Sequence, residues 1–373
     1  MKGVSVMNRP ILASIHIEAF RHNLNRVREL APDAQVWSVI KAGAYGHRLE
    51  SALEGLGATD GFALLDLRDA QWLREHGWQG RILLLEGLFQ AEELQQAIAL
   101  DCDLVVHCQE QVRLLEVLAE HSSHTFSVYL KLNSGMNRLG FAPTIYREMF
   151  HRLHGLGHHV HHMTHFANAD EADRKPTVGE QMDCFSEVTG GLTGKTCLAN
   201  SAAILWHRTS LGDWVRPGIM LYGLSPTGRF DDIAHANLKP VMQLQSEIIE
   251  IQELTVGDRV GYGGRFAAPE PMRIGVIACG YADGYPRHAK DGTPIWIADG
   301  TFSEGGSICP LVGRVSMDMI TVDLRRAPHA RIGSRVELWG TRVPVDDVAA
   351  AADTIGYELI CAVAPRVPIA LLR

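Results

Sequence analysis

The chain has 373 residues, 46% of them hydrophobic and 21% charged, the balance of a folded globular protein rather than a disordered or fibrous one. A formal charge of −8 offers no basic footprint for nucleic acid or an anionic membrane. No window approaches the roughly 18 apolar residues that cross a bilayer. The seven cysteines are odd in number and include no C-x-x-C pair, which argues against a disulfide framework or a zinc site and for reduced thiols in the cytoplasm.

At this length about two domains are expected. Residues 1–10 carry one lysine and one arginine but no apolar h-region, so no signal peptide is expected, and Met1 and Met7 both stand as candidate starts. An early strand, Ala13–Ile17, precedes a helix over Glu18–Ala31 and could join either domain. From Gln35 to about Gly223, eight short apolar runs alternate with helical-period stretches such as Leu67–His76, Ala91–Leu100 and Gln111–Glu120. The runs are Val36–Ile40, Phe62–Leu65, Ile82–Leu85, Leu104–Val106, Phe126–Leu132, Val160–His165, Thr196–Asn200 and Val215–Leu221. Eight βα units read as an α/β fold, a (β/α)8 TIM barrel, whose site lies at the C-terminal strand ends. After Pro240 the pattern turns to short strands between Gly, Pro and Asp turns: Ile248–Ile251, Arg273–Ala278, Ile295–Ala298, Met319–Leu324 and Arg335–Leu338. One late helix, Val345–Thr354, closes this mostly β C-terminal domain. The expected domains are residues 1–238 and 239–373.

The run Ile40-Lys-Ala-Gly-Ala-Tyr-Gly-His47 carries the first chemical signal. A lysine at the end of a buried strand is costly unless its amine has a partner or a reaction, and burial lowers its pKa toward a nucleophile. Tyr45 and Gly46 follow at a strand-to-helix turn whose backbone N–H groups can hold an anion. An amine beside an anion cradle suits pyridoxal 5'-phosphate (PLP), which offers an aldehyde to one and a phosphate to the other. Alone, the run also fits a lysine that snorkels out of a barrel mouth. However, Lys131, His165, Ser201 and Arg216 fall at or near other strand ends, and a structural lysine has no reason to share that address.

Further segments join it: Lys131-Leu-Asn-Ser-Gly-Met-Asn-Arg138, Met163-Thr-His165-Phe-Ala-Asn, Asn200-Ser201-Ala-Ala and Val215-Arg216-Pro-Gly218-Ile219. The second domain adds Val260-Gly-Tyr262-Gly, Gly280-Tyr281-Ala-Asp283-Gly and Gly313-Arg314-Val-Ser-Met317-Asp318. Together and in this order they resemble the bacterial alanine racemases over nearly the whole chain. The resemblance implies a fold-type III PLP enzyme working as a head-to-tail homodimer with both chains in each site. It assigns Lys41 to the PLP aldehyde and to one face of the substrate, and Tyr262 of the other subunit to the opposite face. Racemisation needs two such groups, because a planar carbanion loses a proton on one side and gains one on the other. A tyrosine starts near a pKa of about 10, so it needs a cationic or hydrogen-bonding setting, for which His165 and Arg216 are the candidates.

By the same resemblance, Arg216 faces the pyridine nitrogen, and the phosphate is held by Tyr45, Ser201 and the N–H groups of Ser201, Gly218 and Ile219. Arg138 and the Met317 N–H take the substrate carboxylate, with Met317–Asp318 arriving from the partner chain. Tyr281, Arg287 and Arg314 line the approach. Lys131 matches a lysine carried as a carbamate, which would orient Arg138; the alternative is an unmodified lysine in a polar network. Gly43 stands where Asn or Asp is common, Arg48 where Gly is usual, Pro365 where many members have a tyrosine, and Cys197 where some have a histidine. The cluster His158, His159, His161, His162 and His165 suggests a metal pair, because strand alternation puts His159 and His161 on one face, but no carboxylate or cysteine sits at supporting spacing, His165 is claimed by the PLP site, and no metal is expected. The rivals are a serine or broad-specificity racemase, a basic amino acid decarboxylase and a non-catalytic PLP-binding protein; Tyr262 and the β domain argue against the last two.

Overall fold

Each apolar run between Gln35 and Val215 becomes one strand of a closed parallel barrel in the computed structural model, which describes residues 9–300 and 305–373. The question of Met1 or Met7 as the start lies outside these residues. Along the chain, β1 (Ile11–His16) comes first and stands outside the barrel. The barrel strands are β2 (Gln35–Val39), β3 (Gly61–Leu64), β4 (Arg81–Leu84), β5 (Cys102–Val106), β6 (Ser127–Lys131), β7 (His159–Met163), β8 (Thr196–Cys197) and β9 (Trp214–Val215). The ring closes where Gln35 and Val36 pair with Trp214 and Val215. The helices between strands bury one face each, as Val112, Leu115 and Leu118 do in Gln109–His121. Three start on side-chain caps: Asp66 accepts from the Arg68 N–H, Thr177 with Glu180 forms a capping box, and Asn200 accepts from the Ala203 N–H.

The N-terminal end of the barrel is plugged by aromatic rings. Trp37 and Trp214 stack with centroids 4.4 Å apart, and Tyr129 meets Trp37 edge-on at 6.0 Å. The Arg81 guanidinium lies over both indoles at 5.4 and 5.2 Å and pairs with Asp103 at 2.7 Å. The C-terminal mouth is thereby left as the end where a ligand can sit.

The second unit is built on a sheet ordered β15-β14-β17-β10-β1-β18, with β13 added to β10 and β16 to β13. Its strands are β10 (Met242–Leu254), β11 (Arg259–Val260), β12 (Phe266–Ala267), β13 (Met272–Ile277), β14 (Pro294–Ala298), β15 (Gly306–Pro310), β16 (Ile320–Asp323), β17 (Arg335–Trp339) and β18 (Ile369–Leu372). Two of the expected bounds change. The contacts group Arg21–Leu221 as one unit and join the chain up to Phe20 to Tyr222–Arg373 as the other, instead of dividing after residue 238. The chain up to Phe20 joins the β unit because β1 pairs antiparallel with β10 and parallel with β18. The late helix is also shorter than expected: Val345–Ala351 ends before a second helix, Gly356–Cys361.

Between β2 and the next helix the chain makes an unusual turn. Lys41 is followed by Ala42, Gly43, Ala44 and Tyr45 at φ of 54, 57, 55 and 52°, a left-handed run that disfavours every side chain with a Cβ. The Gly46, His47 and Arg48 N–H groups are used inside this turn, on the carbonyls of Ala42, Ala44 and Gly43. They are therefore not the anion donors that the sequence suggested. Arg48 closes the segment at φ 70°, ψ 146°, a region suited to glycine. The two departures in this segment acquire a backbone meaning. Gly43 relieves strain, whereas Arg48 carries it with its side chain exposed. Arg48→Gly should raise the unfolding free energy by about 1 kcal/mol, and Gly43→Ala should lower it by a similar amount because its Cβ would meet nothing within 4 Å except the strained φ itself. Denaturant titration of both variants reads the sign; equal, near-zero changes would contradict the strain.

Candidate active site

Lys41 leaves β2 at the barrel mouth, and Arg216 leaves β9 beside it in the ring order. The Arg216 guanidinium is buried and pinned by strand-end carbonyls. Nη1 donates to the Cys197 carbonyl at 2.6 Å and touches its Sγ at 3.1 Å. Nη2 donates to the carbonyls of Thr164 at 2.7 Å and Leu198 at 3.1 Å, and lies 3.3 Å from His165 Nδ1. The Nε–H meets no acceptor among the described residues, so one directed donor of a rigid fork is left over. Cys197 thus occupies the supporting position assigned to it, as a buried thiol against the guanidinium.

Lys131 ends β6 with only 8% of its surface exposed. Burial first, then repulsion from Arg216 and Arg138, pushes its amine down to about 7, with Glu86 opposing and Lys41 adding to the repulsion. His165 is driven well below the usual imidazole range by burial and by the same cations, Arg216, Lys131, Arg138 and Lys41. Lys41, Lys131, Arg138, His165 and Arg216 therefore share one electrostatic neighbourhood. Its excess of positive charge suits an anionic ligand.

An anion cradle forms next to it. Ser201 starts the helix Ser201–Trp206, which Asn200 caps by accepting from the Ala203 N–H at 3.0 Å. Ser201 Oγ accepts the Gly218 N–H at 2.9 Å and that of Met220 at 3.4 Å. A Cβ on Gly218 would stand 2.7 Å from the Tyr45 hydroxyl, so the phenol occupies the space that glycine leaves. The N–H groups of Ser201 and Ile219 meet no acceptor among the described residues. Tyr45, Ser201, Gly218 and Ile219 are thus brought together, but the Gly218 N–H expected as an anion donor is taken by Ser201 Oγ, which leaves the Ser201 and Ile219 amides open.

In the β unit, Tyr262 sits in a tight turn of Tyr262–Gly264 with 73% of its surface exposed. Tyr281 and Arg287 meet, the guanidinium 5.8 Å from the ring centroid, and Arg314 packs against Gly263. Met317 is 53% exposed, while the Asp318 carboxylate is paired with Arg366 at 2.7 Å. Pro365 is exposed. Three residues were not singled out by sequence reasoning: Arg9, Arg366 and Glu86. Asp283 lies in the Gly280–Gly284 segment and Arg366 follows Pro365, so their charges were the available signal; Arg9 and Glu86 had none. Three of the clustered histidines make separate hydrogen bonds: His158 accepts from the Phe126 N–H, His161 lies against Ser127, and His162 bonds Tyr146 at 2.9 Å. Among the described residues no three His, Cys, Asp or Glu gather as metal ligands.

The comparisons with known proteins agree along the whole chain. The alanine racemase N-terminal domain family matches residues 15–226, and the alanine racemase C-terminal domain family matches residues 241–371. The alanine racemase of Ralstonia nicotianae is 52% identical over 369 residues, covering 97% of this chain and 95% of that protein. That of Burkholderia mallei is 51% identical over 366 residues, covering 97% and 99%. Among solved structures, the biosynthetic alanine racemase of Pseudomonas aeruginosa superposes with a TM-score of 0.90 at 42% identity, covering 98% of this chain and 100% of that one. The alanine racemase of Acinetobacter baumannii gives 0.90 at 37% identity, covering 98% and 100%. With both domain families matched in order and half the residues shared with such relatives, the chain belongs to the alanine racemase family, a family of amino acid isomerases.

Proposed function

We propose that the protein is a PLP-dependent alanine racemase that interconverts L- and D-alanine in the cytoplasm as a homodimer with shared sites, supplying D-alanine for peptidoglycan or opening it to catabolism. The observation that carries this reading is the barrel mouth. A cationic pocket with a leftover Arg216 Nε–H lies beside the Tyr45–Ser201–Gly218 cradle, which fits a ring nitrogen at one end and a phosphate at the other. PLP, when bound, supplies the electron sink that makes the α-hydrogen acidic. The chain's own residues do the rest. Lys41 would hold the cofactor and take or return the proton on the face of the D-enantiomer, and the Tyr262 hydroxyl of the partner would serve the L-face. Arg216 cannot release its proton at working pH, so it would hold the ring nitrogen as a donor without protonating it. That restraint favours proton exchange over transamination. Arg138 and the Met317 N–H would hold the substrate carboxylate.

Lys131, with its amine near 7, is about half neutral at neutral pH and so can take up dissolved carbon dioxide. The resulting carbamate turns a repelled cation into an anion facing Arg138 and Arg216. Below about pH 6 the amine protonates and the modification should be lost. A carbon-13 spectrum in labelled bicarbonate should show a carbamate carbon at pH 8 that disappears in Lys131→Arg. Its persistence in the variant would assign it elsewhere.

For the cofactor, borohydride reduction followed by peptide mapping should place a pyridoxyl group on the peptide carrying Lys41, and Lys41→Ala should lose both the label and racemisation. A label on Lys131 or Lys195 would overturn the assignment. The shared site is supported by the exposure of Tyr262 and Met317, large apolar side chains standing on the surface of one unit. Mixing inactive Lys41→Ala with inactive Tyr262→Phe chains should restore activity to about a quarter of wild-type sites, since a heterodimer has one intact site of two. Subunit exchange without recovery would put both groups in one chain.

A further inference from the structure

Asp283 is wholly buried at 0% exposure, and a carboxylate so placed must be neutralised by its neighbours. Arg9 Nη1 donates to both of its oxygens at 2.7 and 2.9 Å, Arg366 Nε to Oδ1 at 2.8 Å, and the Gly280 N–H to Oδ2 at 2.9 Å. Both arginines then reach on to the neighbouring turn. Arg366 Nη2 donates to Asp318 Oδ1 at 2.7 Å, and Arg9 Nη2 donates to the Asp318 carbonyl. From the other side, the Tyr281 and Ala282 N–H groups bond the carbonyls of Ser316 and Met317, each at 3.0 Å, and Ser316 N–H bonds the Met319 carbonyl at 3.0 Å. A Cβ on Gly280 would come within 2.4 Å of the Ser316 and Met317 carbonyls, so the two segments touch backbone to backbone.

This arrangement is selective. The carbonyls of Ser316, Met317 and Asp318 and the Asp318 carboxylate are all engaged, while the N–H groups of Met317 and Asp318 meet no acceptor among the described residues. We propose that Arg366 and Arg9, acting through Asp283 and Asp318, are positioning residues that hold the Met317–Asp318 turn with its amides free for the substrate carboxylate. The proposal rests on the racemase reading above, in which the Met317 N–H receives that carboxylate. It gives Asp318 a defined part as well. An unpaired Asp318 would repel a carboxylate beside it, and Arg366 both cancels that charge and fixes the turn. Stability explains the arginines on buried Asp283 but not the reach of Arg366 to Asp318, a pair 43% and 47% exposed, where an ion pair adds little.

The test uses the holoenzyme, with alanine as substrate and propionate, a carboxylate lacking the amine, as a binding probe read by calorimetry. Arg366→Ala should raise KM for alanine and weaken propionate about tenfold, with kcat changed by less than about threefold. Arg366→Lys keeps the charge but cannot make both directed bonds, so it should resemble Arg366→Ala. Asp318→Asn keeps an acceptor for Arg366 and should bind propionate as well as wild type or better, whereas Asp318→Ala should weaken it. Thermal unfolding is followed in parallel, and the exposed Asp318 pair keeps the test open if the arginine variants fold poorly. Variants that lose thermal stability but leave KM and propionate binding unchanged would overturn the proposal, as would an Arg366→Lys enzyme indistinguishable from wild type. A wild-type protein that binds propionate but does not racemise alanine would instead overturn the racemase reading, and the propionate series would still decide the role of the arginines.

Discussion

The barrel mouth gathers more cationic than anionic side chains, and the rest of the site follows from that excess. Burial first, then repulsion from Arg216, Arg138 and Lys41, holds Lys131 near 7 and His165 well below the usual imidazole range, with Glu86 opposing the shift at Lys131. Buried cations such as Lys131 and Arg216 are tolerated when an anion or a covalent partner completes them. A phosphate beside Tyr45 and Ser201, a carboxylate beside Arg138 and a carbamate on Lys131 would each discharge part of the excess. The proposed cofactor, substrate and modification are three answers to a single electrostatic problem.

Three rigid features hold that charge in place. The aromatic floor of Trp37, Trp214 and Tyr129, tied by Arg81 and Asp103, fills the barrel from below and confines chemistry to the C-terminal mouth. At the mouth, Arg216 is held by the carbonyls of Thr164, Cys197 and Leu198, so its orientation is set by the ends of β7 and β8 rather than by a flexible side chain. The left-handed turn after Lys41 adds the third fixed element. Its strain is the kind retained where a backbone must leave a strand in a direction that relaxed residues do not take.

The β unit solves a related problem with the opposite sign. Asp283 is a buried anion with no ligand to complete it, and it is satisfied internally by two arginines and a backbone amide. Internal satisfaction makes it a fixed point on which the turns at 280–284 and 316–319 are assembled. The barrel therefore leaves charge open for a ligand, whereas the β unit closes its charge to build a scaffold, and the contrast separates binding groups from positioning groups in this chain.

The eight-strand barrel was legible in the sequence because each βα unit is a local pattern, an apolar run followed by a helical period, and local patterns survive without knowledge of the partner strand. The addresses of Lys41, Lys131, His165, Ser201 and Arg216 were legible for the same reason, since strand ends can be counted. Other features needed the tertiary structure. Ala13–Ile17 had the composition of a strand but no local mark of its partner, and only its pairing with β10 and β18 takes it into the β unit. Gly43 and Arg48 read as departures until their φ angles showed one relieving and the other bearing strain. The Arg9–Asp283–Arg366 cluster joins residues 274 and 83 positions apart, so no window of sequence contains it. Periodicity and turn chemistry are written residue by residue, whereas the neutralisation of a buried charge and the donor left over on Arg216 depend on what distant segments bring to one point.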